Sequence, residues 1–293
     1  MLNAKNSSNF TKFSKILIGL TTFLVITYFL SFTKSCSSSD KREKVKTALV
    51  NQKYKDSISS FEFQDASGSL TIVNQGSFWA ICDNNGKTII PASSEGLENL
   101  IENLTTIRNL YKISDKIGQN STFGLTNGTE FHLRYYTENS FHELVFGNQD
   151  FSLSSRYMMT EKSTQVYEID SSLDPYLSTS IQNWAEPFII SQLVLGKIKA
   201  EDIQRSPVSD VQKLLDLRHG GIPEEQDLSS PLSELTLELG NKNEIELQIY
   251  QSSKENEYII VTEYMTQKGA KPVFTSKAKI SSWTYNKIKE ITL

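Results

Sequence analysis

The stretch FHLRYYTENSFHELVF, residues 131–146, carries the clearest secondary-structure signal in this chain. Its apolar residues alternate with polar ones on both sides of a turn at Thr137–Ser140, which is typical of a half-buried hairpin. A hairpin closed there places Arg134 opposite Glu143, so we expect an ion pair on its polar face. On the other face it forms two apolar pairs, Phe131 with Phe146 and Leu133 with Leu144.

The same register decides the role of two of the three histidines. Neighbouring side chains of a strand point to opposite faces, so His132 and His142 lie on opposite sides of the predicted sheet. They cannot chelate one metal ion together. Because the chain has only two cysteines and one further histidine, we expect no metal site and no cofactor.

Length and charge narrow the class of protein further. The chain has 293 residues, of which 38% are hydrophobic and 22% are charged, and this composition is globular. Residues 57–293 hold 20 basic and 31 acidic side chains, whereas residues 34–56 hold seven basic and three acidic ones. An acidic body repels phosphate backbones, so we expect no nucleic-acid partner.

A run of 17 uncharged, mostly apolar residues, 16–32, predicts a membrane anchor. As a helix it rises about 25 Å, close to the thickness of a hydrocarbon core, and lysines flank it at Lys15 and Lys34. The run is longer than a typical signal peptide's apolar region and lacks a good cleavage site. We therefore predict a cytoplasmic tail at 1–15, a single span at 16–32, and a basic stalk at 33–56 that either contacts membrane lipid or is simply solvated.

The orientation of this span rests on two opposing arguments. Five basic residues follow the span and three precede it, which by the positive-inside rule places the body in the cytoplasm. Long domains, however, translocate largely regardless of charge, so we expect an extracytoplasmic body. Cys36 raises lipidation as an alternative anchor, but Thr33 and Lys34 disfavour it.

The body reads as two similar α+β units, 57–175 and 176–293, each with antiparallel sheet packed with helices. In the first unit, a helix is predicted from Ser94 onward, because apolar residues recur there at helical spacing. They are Leu97, Leu100, Ile101, Leu104, Ile107 and Tyr111. In both units a helix, a hairpin, two further strands and a short helix follow one another, about a hundred residues apart, which predicts a duplication.

Several local features resemble a known family. They are the membrane segment, Leu-Thr-Ile at 70–72 with Phe-Trp-Ala-Ile at 78–81, Pro91 before a helix, Phe-Gly-Leu at 123–125 and Val-Tyr-Glu-Ile at 166–169. Over most of residues 45–293 the chain resembles the bacterial domain-of-unknown-function family 4340 (DUF 4340). It departs from the family's Tyr-Gly-Leu-x-x-Pro at Phe123 and Gly128.

The resemblance implies a cellular location and a class of partner, but no chemical reaction. Members of the family are typically anchored at the N-terminus and often accompany ABC transporters of the gliding-motility type. It therefore implies an accessory of transporter subunits in the bacterial inner membrane. No catalytic residue is established for the family, so none is carried over to this chain.

No local catalytic motif supplies a reaction either, since GxSxG, GxxxxGK[ST], GxGxxG, HExxH and CxxC are all missing from the sequence. The run Leu217–Pro223 is predicted to end a helix, with Arg218 and His219 near the negative end of its dipole and a glycine cap after them. In a second interpretation, Arg218 and His219 contact a partner or ligand, together with Trp184.

These observations predict a membrane-anchored, non-enzymatic interaction module that serves an ABC transporter or envelope complex. One alternative is a protein that binds a small molecule or peptide in a cleft between the two units. Another is an enzyme whose site is assembled from distant residues. The sequence does not determine the oligomeric state.

Overall fold

The computed structural model describes residues 43–292, apart from 84, 116–120, 127, 139, 161–162 and 225–227, together with 19–22 and 27. The expected membrane span lies outside these residues except for 19–22 and 27, which are helical. Among the described residues, no helix is both long and apolar enough to cross a membrane. Residues 1–44 form one unit and residues 45–293 another.

Ten strands form the first sheet, in the order β1-β6-β10-β9-β8-β7-β2-β3-β4-β5. Their bounds are β1 Lys44–Thr47, β2 Ile58–Asp65, β3 Gly68–Asn74, β4 Trp79–Cys82, β5 Thr88–Pro91, β6 Arg108–Ser114, β7 Phe131–Thr137, β8 Ser140–Gln149, β9 Ser155–Thr160 and β10 Val166–Asp170. Helix α1, Ser94–Thr105, and the 3-10 helices Gln52–Ser57 and Ser171–Tyr176 complete this part.

Hairpin β7–β8 has the predicted register. Phe131 pairs with Phe146 and Leu133 with Leu144. Arg134 Nε donates to Glu143 Oε1 at 2.7 Å on the opposite face. His132 lies on that polar face, whereas His142 stacks on Tyr135 at a ring-centroid distance of 4.8 Å. The hairpin register and the separation of the two histidines are therefore confirmed.

Helix α1 is shorter than the sequence suggested. The hydroxyl of Ser93 accepts from the Gly96 amide at its N-terminus, and its apolar stripe is buried on the sheet. The prediction that Ile107 and Tyr111 continue the helix was wrong, because the chain turns extended at Thr106 and enters β6. The hydroxyls of Thr105 and Thr106 bond back to carbonyls of the last turn, and such β-branched residues favour a helix end.

The Phe-Gly-Leu motif packs against the outer face of the first sheet. The Asn148 amide donates to the Phe123 carbonyl at 2.8 Å, and Leu125 is buried there. This approach requires a glycine at position 147, because a Cβ there would overlap the Phe123 carbonyl oxygen. Gly124 itself has a φ of +68°, which favours glycine.

Five strands form the second sheet, in the order β11-β12-β13-β14-β15. Their bounds are β11 Ile203–Arg205, β12 Ser233–Leu239, β13 Glu244–Gln251, β14 Glu257–Met265 and β15 Phe274–Ser281. Helices α2 Ile181–Trp184, α3 Val211–Leu215 and α4 Ser282–Ile291, with the 3-10 helix Ala200–Asp202, belong to this half of the chain. Hairpin β12–β13 pairs Leu235 with Leu247 and Leu237 with Ile245.

The two sheets have separate cores but share a border. Edge strand β5 lies beside edge strand β15, and Phe78 from the first half meets Phe274 edge-to-face at 5.2 Å between ring centroids. Phe78 and Ala80 are buried in the core of the second sheet. The α+β class, with mostly antiparallel sheet, is confirmed; the duplication and the boundary at 175/176 stay predictions.

Candidate functional site

A surface cleft of about 580 Å³ opens where α1 ends and β6 begins. We call it the cleft. Residues 106–109 line one side of it, residues 168–170 of β10 line another, and Ser154 and Ser155 line a third. Cavities of this size suit a small molecule or one anchoring side chain of a partner.

Arg108 holds the walls of the cleft together. Its side chain is only 6% exposed, and its Nη1 donates to Ser172 Oγ at 2.6 Å and lies 3.3 Å from Asp170 Oδ1. Its Nη2 donates to the Asn103 carbonyl at the end of α1. The buried Nε–H has no acceptor among the described residues, which costs about 1–3 kcal/mol that the other contacts must offset.

The two carboxylates of β10 in the cleft have different surroundings. Glu168 Oε1 accepts from the Ser155 hydroxyl at 2.7 Å. Burial raises the pKa of Asp170, but hydrogen bonds from Ser172 and the charge of Arg108 outweigh burial and leave its pKa lowered. Because the Asp170 side chain is 52% exposed and Arg108 is buried, the accessible side of this ion pair is negative.

A short loop beside the cleft displays two apolar side chains to solvent. We call residues 150–154, between β8 and β9, the tip loop. Phe151 is fully exposed and Leu153 is 66% exposed. Ile107, on the rim of the same cleft, is 64% exposed. Large apolar side chains grouped in water often mark an interaction surface.

Asp150 fixes the shape of the tip loop. Its Oδ1 accepts from the amides of Ser154 and Ser155, both at 3.0 Å, and its Oδ2 accepts from the Ser152 hydroxyl at 2.6 Å. The Ser152 hydroxyl and these backbone amides lower the pKa of Asp150 to about 2. The loop is therefore held by an ionised carboxylate at any pH near neutrality.

The backbone of Leu153 is strained by this arrangement. Its φ is +58°, in the left-handed region that a leucine rarely adopts, and its amide donates to the Asp150 carbonyl at 3.1 Å. Left-handed backbone costs a non-glycine residue roughly 1–2 kcal/mol. Strain of this kind concentrates at functional segments, where surrounding contacts maintain it.

The residues singled out from the sequence lie elsewhere. Trp184 is buried in the core of the first sheet, where it stacks on Phe63 at 4.6 Å between ring centroids and donates to the Ser178 carbonyl. Arg218 is exposed and lies over the Phe188 ring at 5.4 Å. Within the described part of the chain, neither these two nor His219 line the cleft.

The expectation that Arg218 and His219 end a helix was wrong. Helix α3 stops at Leu215, and the following residues run extended between two other segments. The His219 amide donates to the Pro187 carbonyl, and the Gly220 amide donates to the Lys279 carbonyl of β15. These bonds satisfy the backbone amides that a glycine cap would have turned back toward the helix. The segment therefore pairs with its neighbours instead of capping α3.

His219 is held as a neutral ring at this border. Its Nε2 donates to the Glu186 carbonyl at 2.7 Å, and its Nδ1 accepts from the Gly221 amide at 3.0 Å. Burial lowers its pKa, although the bond to the Glu186 carbonyl opposes that shift. Both ring nitrogens are used in backbone bonds, so the ring has a structural role in this arrangement.

A buried polar network lies next to His219. The Ser191 hydroxyl donates to Glu186 Oε2 at 2.5 Å, and the Ser191 amide donates to the hydroxyl of fully buried Tyr264 at 2.6 Å. Burial raises the pKa of Glu186, and the bonds from Ser191 and Gln192 oppose this only in part. The carboxyl therefore gains a preference for its protonated form on folding.

A second cavity, about 530 Å³, lies between the two sheets, and we call it the inter-sheet groove. Phe78, Val194, Leu195, Val273 and Phe274 supply its apolar walls. No charged residue is among the described residues that line it. Its described lining does not include Trp184, Arg218 or His219 either, so the inter-sheet groove lies away from the residues chosen from the sequence.

Among the described residues, no three His, Cys, Asp or Glu side chains lie close enough together to bind a metal ion. Cys82 is a buried free thiol, and its pKa is raised by burial and by Asp83. Cys36 lies outside the described residues.

Sequence reasoning missed the cleft because its walls are far apart along the chain. Arg108 and Asp170 are separated by 62 residues. One local signal was present: the segment Asp-Phe-Ser-Leu-Ser at 150–154 places two large apolar residues among turn-forming ones. An apolar pair in such a turn indicates an exposed tip.

The fold is thus a mostly antiparallel α+β body with a rigid apolar tip beside a cleft. The chain matches the family model described as "Domain of unknown function (DUF4340)" over residues 83–259. The match covers more than half of the chain, so the chain belongs to this family. No curated protein and no solved structure matches it.

Replacing Leu153 by asparagine tests the strain in the tip loop. Asn tolerates left-handed backbone better than Leu, so L153N should raise the free energy of unfolding by about 1 kcal/mol. Urea denaturation of the full chain measures this change. Leu232 is 51% exposed and lies outside the left-handed region, so L232N should give no such gain. Equal effects at both positions would mean that the tip stores no strain.

Replacing Glu186 by glutamine tests the buried carboxyl. With the folded pKa raised above 4.5, its contribution is fully present below about pH 4.5 and is lost as pH rises through the folded value. The stability of E186Q relative to wild type should therefore increase with pH across that window, as read by urea denaturation at several pH values. S191A, which keeps the carboxyl, should retain the wild-type trend. A constant difference between E186Q and wild type contradicts the assignment.

Proposed function

We propose that this chain is a membrane-anchored, non-enzymatic interaction module that assists an ABC transporter or envelope complex, with its body extracytoplasmic. The observation that carries the proposal is the tip loop, in which Asp150 holds Phe151 and Leu153 in water at the cost of a strained backbone. Such a pre-organised apolar contact loses little conformational entropy when a partner binds.

The apolar run at residues 16–32 supports the membrane location. A chain anchored there keeps its body close to other membrane proteins, which raises their effective concentration. Members of the family often accompany ABC transporters of the gliding-motility type, and this association favours a transporter subunit as the partner. The mutual pairing of Arg108 with Asp170 and of Ser155 with Glu168 favours recognition over catalysis.

The inter-sheet groove favours a second candidate function. Its uncharged walls mix apolar side chains with polar ones such as Gln75, Thr88 and Asn243, and they suit a small uncharged molecule or a short peptide. Because Val273 is 56% exposed on that groove, a contact there is separable from one at the tip loop.

In-cell photo-crosslinking distinguishes these candidates. A benzophenone side chain at position 151 of the full chain should give an adduct with an integral membrane subunit of a transporter or envelope complex, identified by mass spectrometry. Position 283 serves as the control, since Trp283 is 63% exposed on α4. An adduct that forms from position 273 instead favours the groove. Identical adducts from positions 151 and 283, or none from 151, would contradict the proposed contact.

A further inference from the structure

The charges around the tip loop narrow the chemistry of its partner. The cleft lining contains one basic residue, Arg108, and two acidic ones, Glu168 and Asp170. The tip loop adds Asp150 and no basic residue. Cleft and tip loop together therefore carry a formal charge of −2.

The accessible part of this charge is negative as well. The Arg108 guanidinium is buried beneath its partners, while half of the Asp170 side chain faces solvent. The lowered pKa values of Asp150 and Asp170 keep both carboxylates ionised near neutral pH. A second arginine near the tip, Arg156, is held by Asp174 at 2.6 Å and by the Gly147 carbonyl.

Exposed apolar side chains and carboxylates lie around the same cleft. Ile107 and Asp170 line the cleft, and so does Ser154, the last residue of the tip loop. The same loop carries the exposed Phe151 and Leu153. Anionic lipid headgroups would be repelled by these carboxylates, which disfavours a bilayer as the occupant. A polypeptide segment with a basic side chain beside apolar ones complements both features.

We propose that the cleft and tip loop bind an extended protein segment in which a lysine or arginine is flanked by large apolar residues. The cationic group meets the exposed Asp170 carboxylate, and the flanking side chains pack on Ile107, Phe151 and Leu153. This inference rests on the proposed function as an interaction module, and it specifies the partner's chemistry.

A defined peptide probe tests the proposal with the full chain in phosphatidylcholine nanodiscs. The probe is fluorescein-labelled Gly-Leu-Val-Lys-Leu-Val-Gly, and two matched peptides carry norleucine or Glu in place of Lys. Fluorescence anisotropy, with empty discs as the blank, measures binding in 50 mM salt. We expect the Lys peptide to bind at least about fivefold more tightly than the Glu peptide, with the norleucine peptide between them.

Three variants of the chain locate the contact. D170N removes the charge but keeps an oxygen that can accept from the Ser172 amide, and it should weaken the Lys peptide about threefold while leaving the norleucine peptide unchanged. D216N, an exposed aspartate on the second half, is the matched control and should change nothing. L153N should weaken both peptides alike. Thermal unfolding verifies that each variant is folded.

Equal affinities for the Lys and Glu peptides, no binding of any peptide, or an unchanged Lys affinity in D170N would overturn the proposal. Equal binding of the Lys peptide to loaded and empty discs would also overturn it, because the peptide would then be bound by the lipid. If crosslinking at position 151 still captures a transporter subunit while the peptides do not discriminate, the interaction role stands and the partner chemistry is wrong. If both experiments fail, the module role fails too.

Discussion

The buried guanidinium of Arg108 is the contact on which the candidate site depends. It bonds to the Asn103 carbonyl in the last turn of α1, to Asp170 at the end of β10 and to Ser172 in the 3-10 helix that follows. Helix α1 and the segment after β10 are distant in sequence, and charge-assisted hydrogen bonds from the guanidinium join them. The cleft is therefore a consequence of how the helix and the sheet are fastened together.

Arg108 stabilises the fold, whereas the exposed and strained residues of the tip loop lower its stability locally. Exposure of the Phe151 ring and the left-handed backbone of Leu153 are both unfavourable for a folded chain in water. Hydrogen bonds from Ser152, Ser154 and Ser155 to the Asp150 carboxylate maintain this conformation. Proteins keep such features where a partner uses them. A rigid apolar tip beside a negative cleft supports recognition of another protein.

Sequence patterns predicted those elements in which one local period dominates. The hairpin of β7 and β8 was predicted to the residue, because alternation and the Arg134–Glu143 pair specify one register. Helix α1 was extended too far, since Ile107 and Tyr111 also fit a helical spacing, and only the back-bonding threonines end it. His219 was misplaced because its contacts, the Glu186 carbonyl and the Gly221 amide, arise from tertiary pairing at the sheet border. The cleft could not be predicted, because no local sequence pattern connects the residues that line it.

The central claim is that the tip loop is fixed before any partner binds. Amide hydrogen exchange of the full chain, read by NMR, tests it at Ser154 and Ser155, whose amides donate to the Asp150 carboxylate. If the loop is fixed in this way, both amides exchange as slowly as those in the middle of β8, although Phe151 and Leu153 in the same loop are exposed. Exchange of both at the rate of an unstructured peptide would contradict it.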